Sequence, residues 1–250
     1  MKAFILTYHH VAAPPEDHPG KNLFVTPENF SEQMKFLKNK NFQVVSLDQI
    51  RDALLGNADT PPAPVAITFD DGFEDNYFNA FPILKKYGFT ATVFMVSGSI
   101  GKKQENSGTN ADDYLSPEQI REMSDYGICF GSHSQKHVRL ATVPPEKARK
   151  QIRESAAEIS AVTDKPVEWF CYPFGSFSPE IQEMVKEAGY KGASSVIRDN
   201  RVFPSQLYHL PRIMVMKNTT ISRFRYYFSG LYHFIHRRKN LRRWGKNYIE

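Results

Sequence analysis

The strongest constraint on the fold is that short apolar, β-inclined runs alternate along the chain with amphipathic segments. An apolar run bounded by turn residues indicates a buried strand, whereas apolar residues three and four apart indicate a helix. Strands that alternate with helices favour a parallel sheet or barrel covered by helices. The predicted strands are Ala3–Tyr8, Gln43–Leu47, Val65–Phe69, Thr90–Val96, Gly127–Phe130, Trp169–Tyr172, Gly192–Val196 and Arg212–Met216.

Capping signals predict helices between these strands. Thr26 before a proline and Ser116 before a proline are N-cap patterns, and Gly88 is typical of a helix C-terminus. Pro82 predicts a kink in the helix that contains it. The predicted helices begin at Thr26, cover Asp48–Leu55 and Asn76–Tyr87, run from Ser116 to Gly127, and cover Pro145–Val162 and Ser178–Ala188, while Ser97–Asp113 is predicted to be a mobile loop near a site.

Two adjacent carboxylates, Asp70 and Asp71, follow the strand that begins at Val65, and Gly72 comes next. The C-terminal ends of parallel strands are where catalytic residues collect in α/β folds. Side-by-side carboxylates repel each other unless a cation or a shared proton offsets the repulsion. The pair therefore indicates either a cation site or, as in many Asp-Asp-Gly segments, a solvated turn.

A histidine pair follows another predicted strand. His133 and His137 stand four residues apart, so both rings can meet one cation from a helical turn or from a folded loop. Alone, such a pair is also typical of a protein surface. Two histidines and one carboxylate, however, form a ligand set for a hydrolytic zinc that keeps one position open for water. The two motifs together therefore predict a metal site, with one carboxylate as a ligand and the other as a nearby base.

The segments Thr68–Gly72 (TFDDG) and Ser132–His137 (SHSQKH) resemble the first two motifs of the polysaccharide deacetylase family, also called the NodB-homology family or carbohydrate esterase family 4. The resemblance covers about residues 3–216. It implies an α/β fold, a distorted (β/α) barrel of the NodB-homology type with seven or eight parallel strands. It also implies that Asp70 is the general base, and that a divalent metal, expected to be Zn²⁺, is held by Asp71, His133 and His137.

A third segment, Phe170–Gly175, follows another predicted strand. The family's third motif usually carries an arginine that orients the catalytic Asp, and Cys171 stands at that position here, which puts that contact in doubt. The chain is similar to a subset of the family that has Tyr-Pro-Phe/Tyr-Gly, in which a backbone N–H at Phe174 would help to stabilise the oxyanion. Tyr172 and Phe174 are therefore candidate substrate-binding residues. The alternative is a rigid, aromatic-lined turn.

The general acid has two candidates. The resemblance points to a late histidine, for which His209 fits by position, or to an N-terminal one, for which His9 follows the first strand. His9 is preferred because a strand C-terminus places it at the same rim as the other motifs. The alternative for either residue is a hydrogen-bonded structural histidine. We interpret His10 and His18 as loop residues, and Asp199 matches the family's fourth, Asp-Trp motif only loosely.

Composition fits a globular enzyme. A chain of 250 residues with 41% hydrophobic content suits one large domain, or one domain with a tail. Cys129 and Cys171 lie inside apolar runs and provide no disulfide framework, so both are expected to be reduced and buried. We find no signal-peptide pattern at the N-terminus and no stretch of the ~18 apolar residues that span a bilayer. These features predict a cytoplasmic protein.

Residues 217–250 differ in composition from the rest of the chain. They hold nine Lys or Arg and one Glu, a net charge of +8, whereas residues 1–216 carry a net charge of −3. We therefore divide the chain into a catalytic barrel, 1–216, and a basic, aromatic-rich helical tail, 217–250. The tail is expected either to contact an anionic membrane peripherally, on its inner face, or to pack on the barrel. No nucleic-acid partner is expected, since no recognition motif is present. Phe224, Phe228, Leu231 and Ile235 fall at helical spacing in the tail.

The motifs predict a hydrolytic metal site, and the family resemblance implies a metal-dependent hydrolase that removes an N-acyl group, expected to be acetyl, from an amino sugar. The expected substrate is an N-acetylated polysaccharide or lipid-linked glycan. Two alternatives stay open, a metal-dependent amidohydrolase acting on a non-sugar amide and a carbohydrate-binding relative without catalysis. A pure binder has no need of an open metal site, so the intact motif residues favour the enzyme.

Overall fold

The computed structural model describes residues 1–103 and 112–245, and its centre is a curled, wholly parallel β-sheet. The strands are β1 Phe4–Tyr8, β2 Gln43–Val44, β3 Pro64–Asp71, β4 Thr92–Met95, β5 Cys129–Ser132, β6 Trp169–Cys171, β7 Gly192–Ser194 and β8 Ile213–Met214. Their order across the sheet is β7-β6-β5-β4-β3-β1-β8, and the short β2 also pairs with β3. Every strand pairing is parallel, as the strand–helix alternation predicts.

The two edges of the sheet approach each other through the segment that leads into β8. Leu210 forms a parallel bridge with Ser194 of β7, and the backbone N–H of Arg212 donates to the carbonyl of Ile197. The same segment continues into β8, which pairs with β1. The result is a distorted barrel, and the predicted fold class is confirmed.

Helices cover the sheet and begin where the capping signals predict. The Thr26 and Ser116 side chains accept N-cap hydrogen bonds, Ser116 within a capping box. Gly88 ends its helix in the left-handed conformation. The helices are α1 Pro27–Asn39, α2 Leu47–Leu55, α3 Phe81–Tyr87, α4 Pro117–Tyr126, α5 Pro145–Thr163, α6 Pro179–Glu187, α7 Ile221–Tyr227 and α8 Gly230–Trp244.

Two predicted elements differ from the structure. The second strand was expected to reach Leu47 but ends at Val44, because Ser46 caps α2 and makes Leu47 its first residue. The predicted helix Asn76–Tyr87 divides into a π-helical turn, Asn76–Ala80, and α3, whose second residue is a proline. The predicted loop Ser97–Asp113 lies in part outside the described residues.

The main apolar core joins the barrel to the C-terminal tail. The ring of Phe228 lies 4.7 Å from that of Phe4 and 4.5 Å from that of Phe42, measured between centroids. Phe224 is fully buried as well. Burial of each such ring stabilises the fold by about 1.5–3 kcal/mol, so the tail helices are part of the core.

The four tail residues at helical spacing do not lie on one continuous helix. The tail forms two helices, α7 and α8, because Ser229 caps a new helix. Phe224 and Phe228 therefore face the core, whereas the Leu231 side chain is 57% exposed. Within the described ranges, every helix lacks either the length or the apolar character needed to cross a bilayer.

The two cysteines are both free thiols. Cys171 is buried, as expected, and Cys129 is only partly buried. Cys129 is the first residue of β5, and the three residues that follow it in the strand are buried. The prediction that both thiols are buried is therefore correct only for Cys171.

Candidate functional site

The sequence motifs meet at one rim of the barrel. Asp70 and Asp71 are the last residues of β3, His133 follows β5, and Phe174 follows β6. Because the strands β3 to β6 are neighbours in a parallel sheet, their C-terminal ends lie along the same edge. The barrel therefore brings together side chains that are about a hundred residues apart in sequence.

Asp71, His133 and His137 form a compact group of possible metal ligands. Oδ1 of Asp71 lies 3.6 Å from Nε2 of His133 and 3.3 Å from Nε2 of His137. One ligand atom from each residue lies within 4.8 Å of the others. Nδ1 of His133 lies 2.7 Å from the carbonyl oxygen of Cys171, and such a contact to the second ring nitrogen commonly orients a metal-binding histidine.

This group has the properties of a cation site. Oδ1 of Asp71 is buried without a hydrogen-bond partner among the described residues. Burial and the neighbouring Asp70 raise the pKa of Asp71 to about 8, and burial lowers the pKa of His133 to about 3. The group therefore carries no positive charge of its own at neutral pH. A divalent cation would satisfy the orphaned oxygen and offset the second carboxylate, so these residues fit a metal ion.

A second group, Asp70, His133 and Cys171, also brings three possible ligands together. Both carboxylate oxygens of Asp70 accept hydrogen bonds from Arg212. Burial raises the pKa of the Cys171 thiol well above its ordinary value. Since metals bind the thiolate rather than the thiol, the Asp71 group is the better metal site.

Asp70 is held by a buried arginine. Nη1 and Nη2 of Arg212 each donate to a different oxygen of Asp70 at 2.7 Å, and the two side chains are only 2% and 4% exposed. Burial alone would raise the pKa of Asp70, but the guanidinium outweighs burial and holds that pKa well below its usual range. Asp70 is therefore ionised and oriented by a bidentate pair, as a general base requires.

His9 lies beside Asp70. The distance from Nε2 of His9 to Oδ2 of Asp70 is 4.0 Å. Burial lowers the pKa of His9 to about 4, so the ring is neutral at pH 7. The other candidate, His209, packs its ring 5.8 Å from that of Phe177. No hydrogen bond or ion pair among the described residues joins the His209 side chain to Asp70, so the geometry favours His9.

Backbone strain is concentrated in the motifs. Asp71, Ser134, His137 and Phe174 have positive φ angles of 73°, 62°, 49° and 57°. Only three other non-glycine residues in the described ranges share this conformation, which costs about 1–3 kcal/mol per residue. Such strain is typical of functional sites, where the surrounding fold holds a side chain in position.

The two predicted substrate-binding residues lie in different environments. Phe174 is 50% exposed, and its ring centroid lies 4.4 Å from that of His137, so it borders the metal group. Tyr172 is fully buried, its hydroxyl donates to the carbonyl of Tyr208 at 2.8 Å, and its backbone N–H donates to the carbonyl of Ser194. Both donors of Tyr172 are occupied within the fold, so these contacts do not support its predicted role in substrate binding.

An open cleft of about 450 Å³ adjoins Asp71 and His137. Phe73 and Tyr114 form one aromatic wall, with ring centroids 5.3 Å apart, and Lys102 adds a polar group. A cleft of this size, with a few convergent polar groups, is typical of a small-molecule site. It can accommodate part of a substrate next to the metal group.

Comparison with known proteins identifies the family. A family model described as polysaccharide deacetylase matches residues 57–193, more than half of the chain. The chain belongs to the polysaccharide deacetylase family. This family is metal-dependent, in agreement with the Asp71 group, and the chain is accordingly a carbohydrate N-deacetylase.

Three similar deacetylases align with most of the chain. YxkH of Bacillus subtilis, named as a polysaccharide deacetylase, is 29% identical over 229 residues, which are 91% of this chain and 76% of that protein. A poly-beta-1,6-N-acetyl-D-glucosamine N-deacetylase of Staphylococcus aureus is 28% identical over 205 residues, which are 78% and 69% of the two proteins. The structure of the Streptococcus pyogenes deacetylase PplD in complex with acetate matches with a TM-score of 0.80 and 25% identity, over 92% of this chain and 99% of that one.

At two positions of the deacetylase motifs, the structure shows contacts that the sequence did not predict. The contact that Cys171 put in doubt is present, because Arg212 supplies the guanidinium from the segment before β8 and also donates to Sγ of Cys171 at 3.1 Å. An arginine within an otherwise apolar run was the available signal, since buried arginines are almost always paired. Asp199, the loose match to the fourth motif, instead lies 2.7 Å from Nδ1 of His233 in α8.

His10 and His18 lie in the loop segment after β1, as interpreted, but both make contacts with residues distant in sequence. His10 is 2% exposed, with Nδ1 lying 2.7 Å from Oδ2 of Asp75, and its ring stacks on Phe73 of the deacetylase cleft at 3.7 Å. Nε2 of His18 lies 3.0 Å from Oδ2 of Asp112. This network ties the segment after β1 to the wall of the cleft, and only contacts distant in sequence reveal it.

Proposed function

We propose that this deacetylase removes N-acetyl groups from glucosamine units of an N-acetylated glycan, with zinc as its metal. The observation that carries the proposal is the ionised Asp70, held by Arg212, directly beside the ligand group of Asp71, His133 and His137. A base adjacent to an open metal site is the arrangement that metal-assisted amide hydrolysis requires.

The residues divide the reaction between them. Asp71, His133 and His137 would hold the cation, which when bound supplies Lewis-acid polarisation of the acyl carbonyl and lowers the pKa of water. Asp70 accepts the proton of the attacking water, because Arg212 keeps its carboxylate ionised and oriented.

The same proton then reaches the leaving group. His9 is neutral and its Nε2 lies 4.0 Å from Oδ2 of Asp70, so one bridging water carries the proton from Asp70 to His9, which donates it to the departing amine nitrogen. The backbone N–H of Phe174 is the proposed donor to the oxyanion. One proton therefore passes from water to the amine as the C–N bond breaks, and the products are acetate and a free amino sugar.

The names of the relatives support a glucosamine-containing substrate. The Staphylococcus aureus relative is named for poly-beta-1,6-N-acetyl-D-glucosamine, and the Streptococcus pyogenes structure contains acetate. We propose that the substrate of this protein likewise contains glucosamine and that its acyl group is acetyl. A non-sugar amide and a purely carbohydrate-binding role are the two competing functions.

Acetate release from N-acetylglucosamine oligomers tests the proposal. The full-length protein should release acetate, a chelator should stop the release, and added zinc should restore it. Asp70→Asn should lower turnover by about 10²–10⁴-fold while the protein keeps its metal. Asp52→Asn, which alters a partly exposed carboxylate on α2, is the matched control and should keep full activity.

Each competing function predicts a different result. Hydrolysis of simple N-acyl amines together with inactivity on every oligomer would favour the non-sugar amidohydrolase. Oligomer binding without acetate release from the zinc-loaded protein would favour the binding role. Full activity of Asp70→Asn would contradict the assignment of the base.

For the tail we propose peripheral contact with an anionic membrane through α8. Leu231 and Phe234 are 57% and 51% exposed and lie one helical turn apart. The guanidinium of Arg238 lies 4.3 Å from the Phe234 ring centroid. Exposed apolar side chains flanked by basic ones are typical of helices that lie on such surfaces. Because Phe224 and Phe228 are buried in the core, they take no part in this contact, and the division of the chain at residue 216 stays a prediction.

A further inference from the structure

A second pocket opens between the loop after β7 and helix α8. Its volume is about 430 Å³, and it is separate from the cleft beside Asp71. We name it the basic pocket after Arg198, Lys239 and Arg243, which line it together with Trp244. The barrel contributes the first of these residues and the tail contributes the other three.

The basic pocket has an uncompensated positive charge. None of its lining residues is acidic, and Arg198, Lys239 and Arg243 form no ion pair within residues 1–103 and 112–245. Three like charges around one concavity repel each other unless an anion lies between them.

The positive charges of the pocket contribute to the lowered pKa of a neighbouring histidine. His236 also lines the pocket, and its pKa is lowered to about 4 by burial and by the charges of Lys239 and Arg198. The nearest carboxylate, that of Asp199, acts weakly in the opposite direction and is hydrogen-bonded to His233. The electrostatic environment inside the pocket is therefore positive.

The basic pocket shares a wall with the catalytic centre. Val196 and Ile197 line it. The backbone N–H of Arg212 donates to the carbonyl of Ile197 at 2.7 Å, and Nε of Arg212 donates to the carbonyl of Ser195 at 3.0 Å. The other end of the same arginine holds Asp70. Arg212 therefore contacts both the backbone of the pocket wall and the proposed base.

The same wall leads towards the metal group. A Cβ on Gly175 would lie 2.2 Å from Cγ2 of Val196, so the turn that carries Phe174 packs directly on the pocket wall. Trp244 stacks on Phe177 with centroids 5.7 Å apart and an interplanar angle of 10°. The Phe174–Gly175 turn therefore contacts the metal group through the Phe174 ring and the wall of the basic pocket through Gly175.

We propose that the basic pocket binds a phosphate group carried by the glycan substrate while a neighbouring N-acetyl group lies at the metal site. The inference rests on the proposed deacetylase function and narrows the substrate class to phosphate-bearing glycans. A phosphate dianion matches several cations at once and accepts bidentate hydrogen bonds from arginine. A neutral glycan gains nothing from these cations, and a deacetylated unit with its ammonium group is repelled by them.

Two synthetic substrates test the proposal on the full-length, zinc-loaded protein. One is the trimer of N-acetylglucosamine, and the other is the same trimer with a phosphate monoester at its reducing end. The phosphorylated trimer should have a KM lower by about tenfold, the effect of two moderately exposed ion pairs. In the double variant Lys239→Gln/Arg243→Gln, the ratio of the two KM values should fall to about one.

A charge-matched variant controls for the overall field of the protein. Arg237→Gln/Arg242→Gln removes the same charge from the same helix at exposed positions outside the basic pocket, and it should keep the tenfold ratio. A ratio near one in wild type, or an equal loss of the ratio in both double variants, would overturn the proposal.

Binding to chelator-treated full-length protein separates this proposal from the deacetylase function. Turnover is then absent and phosphate has no metal to bind, so calorimetry should still give a Kd about tenfold lower for the phosphorylated trimer. A clear Kd difference without acetate release from the zinc-loaded protein would contradict the deacetylase function and support the pocket. Equal affinity for inorganic phosphate and the phosphorylated trimer would overturn the proposal, since the pocket would then bind a free anion.

Discussion

Replacement of Arg212 by methionine tests the central ion pair of the site. In the folded protein, two guanidinium nitrogens lie 2.7 Å from separate oxygens of Asp70, and both side chains are almost fully buried. Methionine fills much of the same volume but leaves the Asp70 carboxylate buried without a cation. Removal of one partner from a buried pair costs about 3–5 kcal/mol, and in a protein of this size that lowers Tm by about 6–20 °C.

Thermal and urea denaturation of the chelator-treated protein measure this effect, because no metal ion then lies beside Asp70. Arg51→Met is the matched control, because Arg51 pairs with Asp48 and Asp52 on a partly exposed surface and should cost at most about 1 kcal/mol. The double variant Asp70→Asn/Arg212→Met should lose less stability than the sum of the single variants, because it leaves no unpaired charge. Additive losses, or a loss in Arg212→Met no larger than in Arg51→Met, would refute the reasoning.

The pH dependence has a defined sign. The folded-state pKa of Asp70 is depressed, so its contribution to stability is present above the unfolded pKa of about 4 and is lost as the pH falls further. In Arg212→Met, burial without the guanidinium raises the pKa of Asp70, so the carboxyl is protonated at a higher pH than in wild type. The difference in stability between wild type and Arg212→Met should therefore be largest at the upper end of the pH range and become smaller as the pH falls. A difference that grows on acidification would mean that the ion pair between Arg212 and Asp70 does not account for the loss of stability.

Three further predictions concern the metal group, the backbone and the tail. His133→Ala should lose the bound metal in elemental analysis while His209→Ala keeps it; equal metal content would remove His133 from the ligand set. Gly175→Ala forces a Cβ to within 2.2 Å of Val196 at a φ of +64°, so it should cost about 2 kcal/mol or more, whereas Gly56→Ala, with a φ of +76° and nothing within 4 Å, should cost about 1 kcal/mol. Similar denaturation midpoints for the two would contradict this packing argument. Leu231→Ser/Phe234→Ser should reduce co-sedimentation with anionic vesicles by at least about tenfold, whereas Leu55→Ser/Phe78→Ser, which alters equally exposed side chains elsewhere, should not; equal sedimentation of all three proteins would exclude membrane contact through α8.

The parallel strand–helix architecture and the two motifs that carry the family resemblance could be read from the sequence because their signals are local. Strand–helix alternation, the caps at Thr26 and Ser116, and the His133–His137 spacing each involve residues a few positions apart. Such short-range patterns depend mainly on backbone geometry and hydrogen bonding within a single element. Parallel pairing then places every strand's C-terminal end at one rim without further information.

The sequence by itself determined the barrel, the two carboxylates and the two histidines, because each depends on neighbours along the chain. Only the tertiary structure decided that Arg212 is the partner of Asp70, 142 residues away. The same is true of the tail, where helical spacing could not show which aromatic rings are buried, and of the basic pocket, which joins the loop after β7 to α8. These features depend on closure of the barrel and docking of the tail helices, since long-range contacts are set by packing rather than by local propensity.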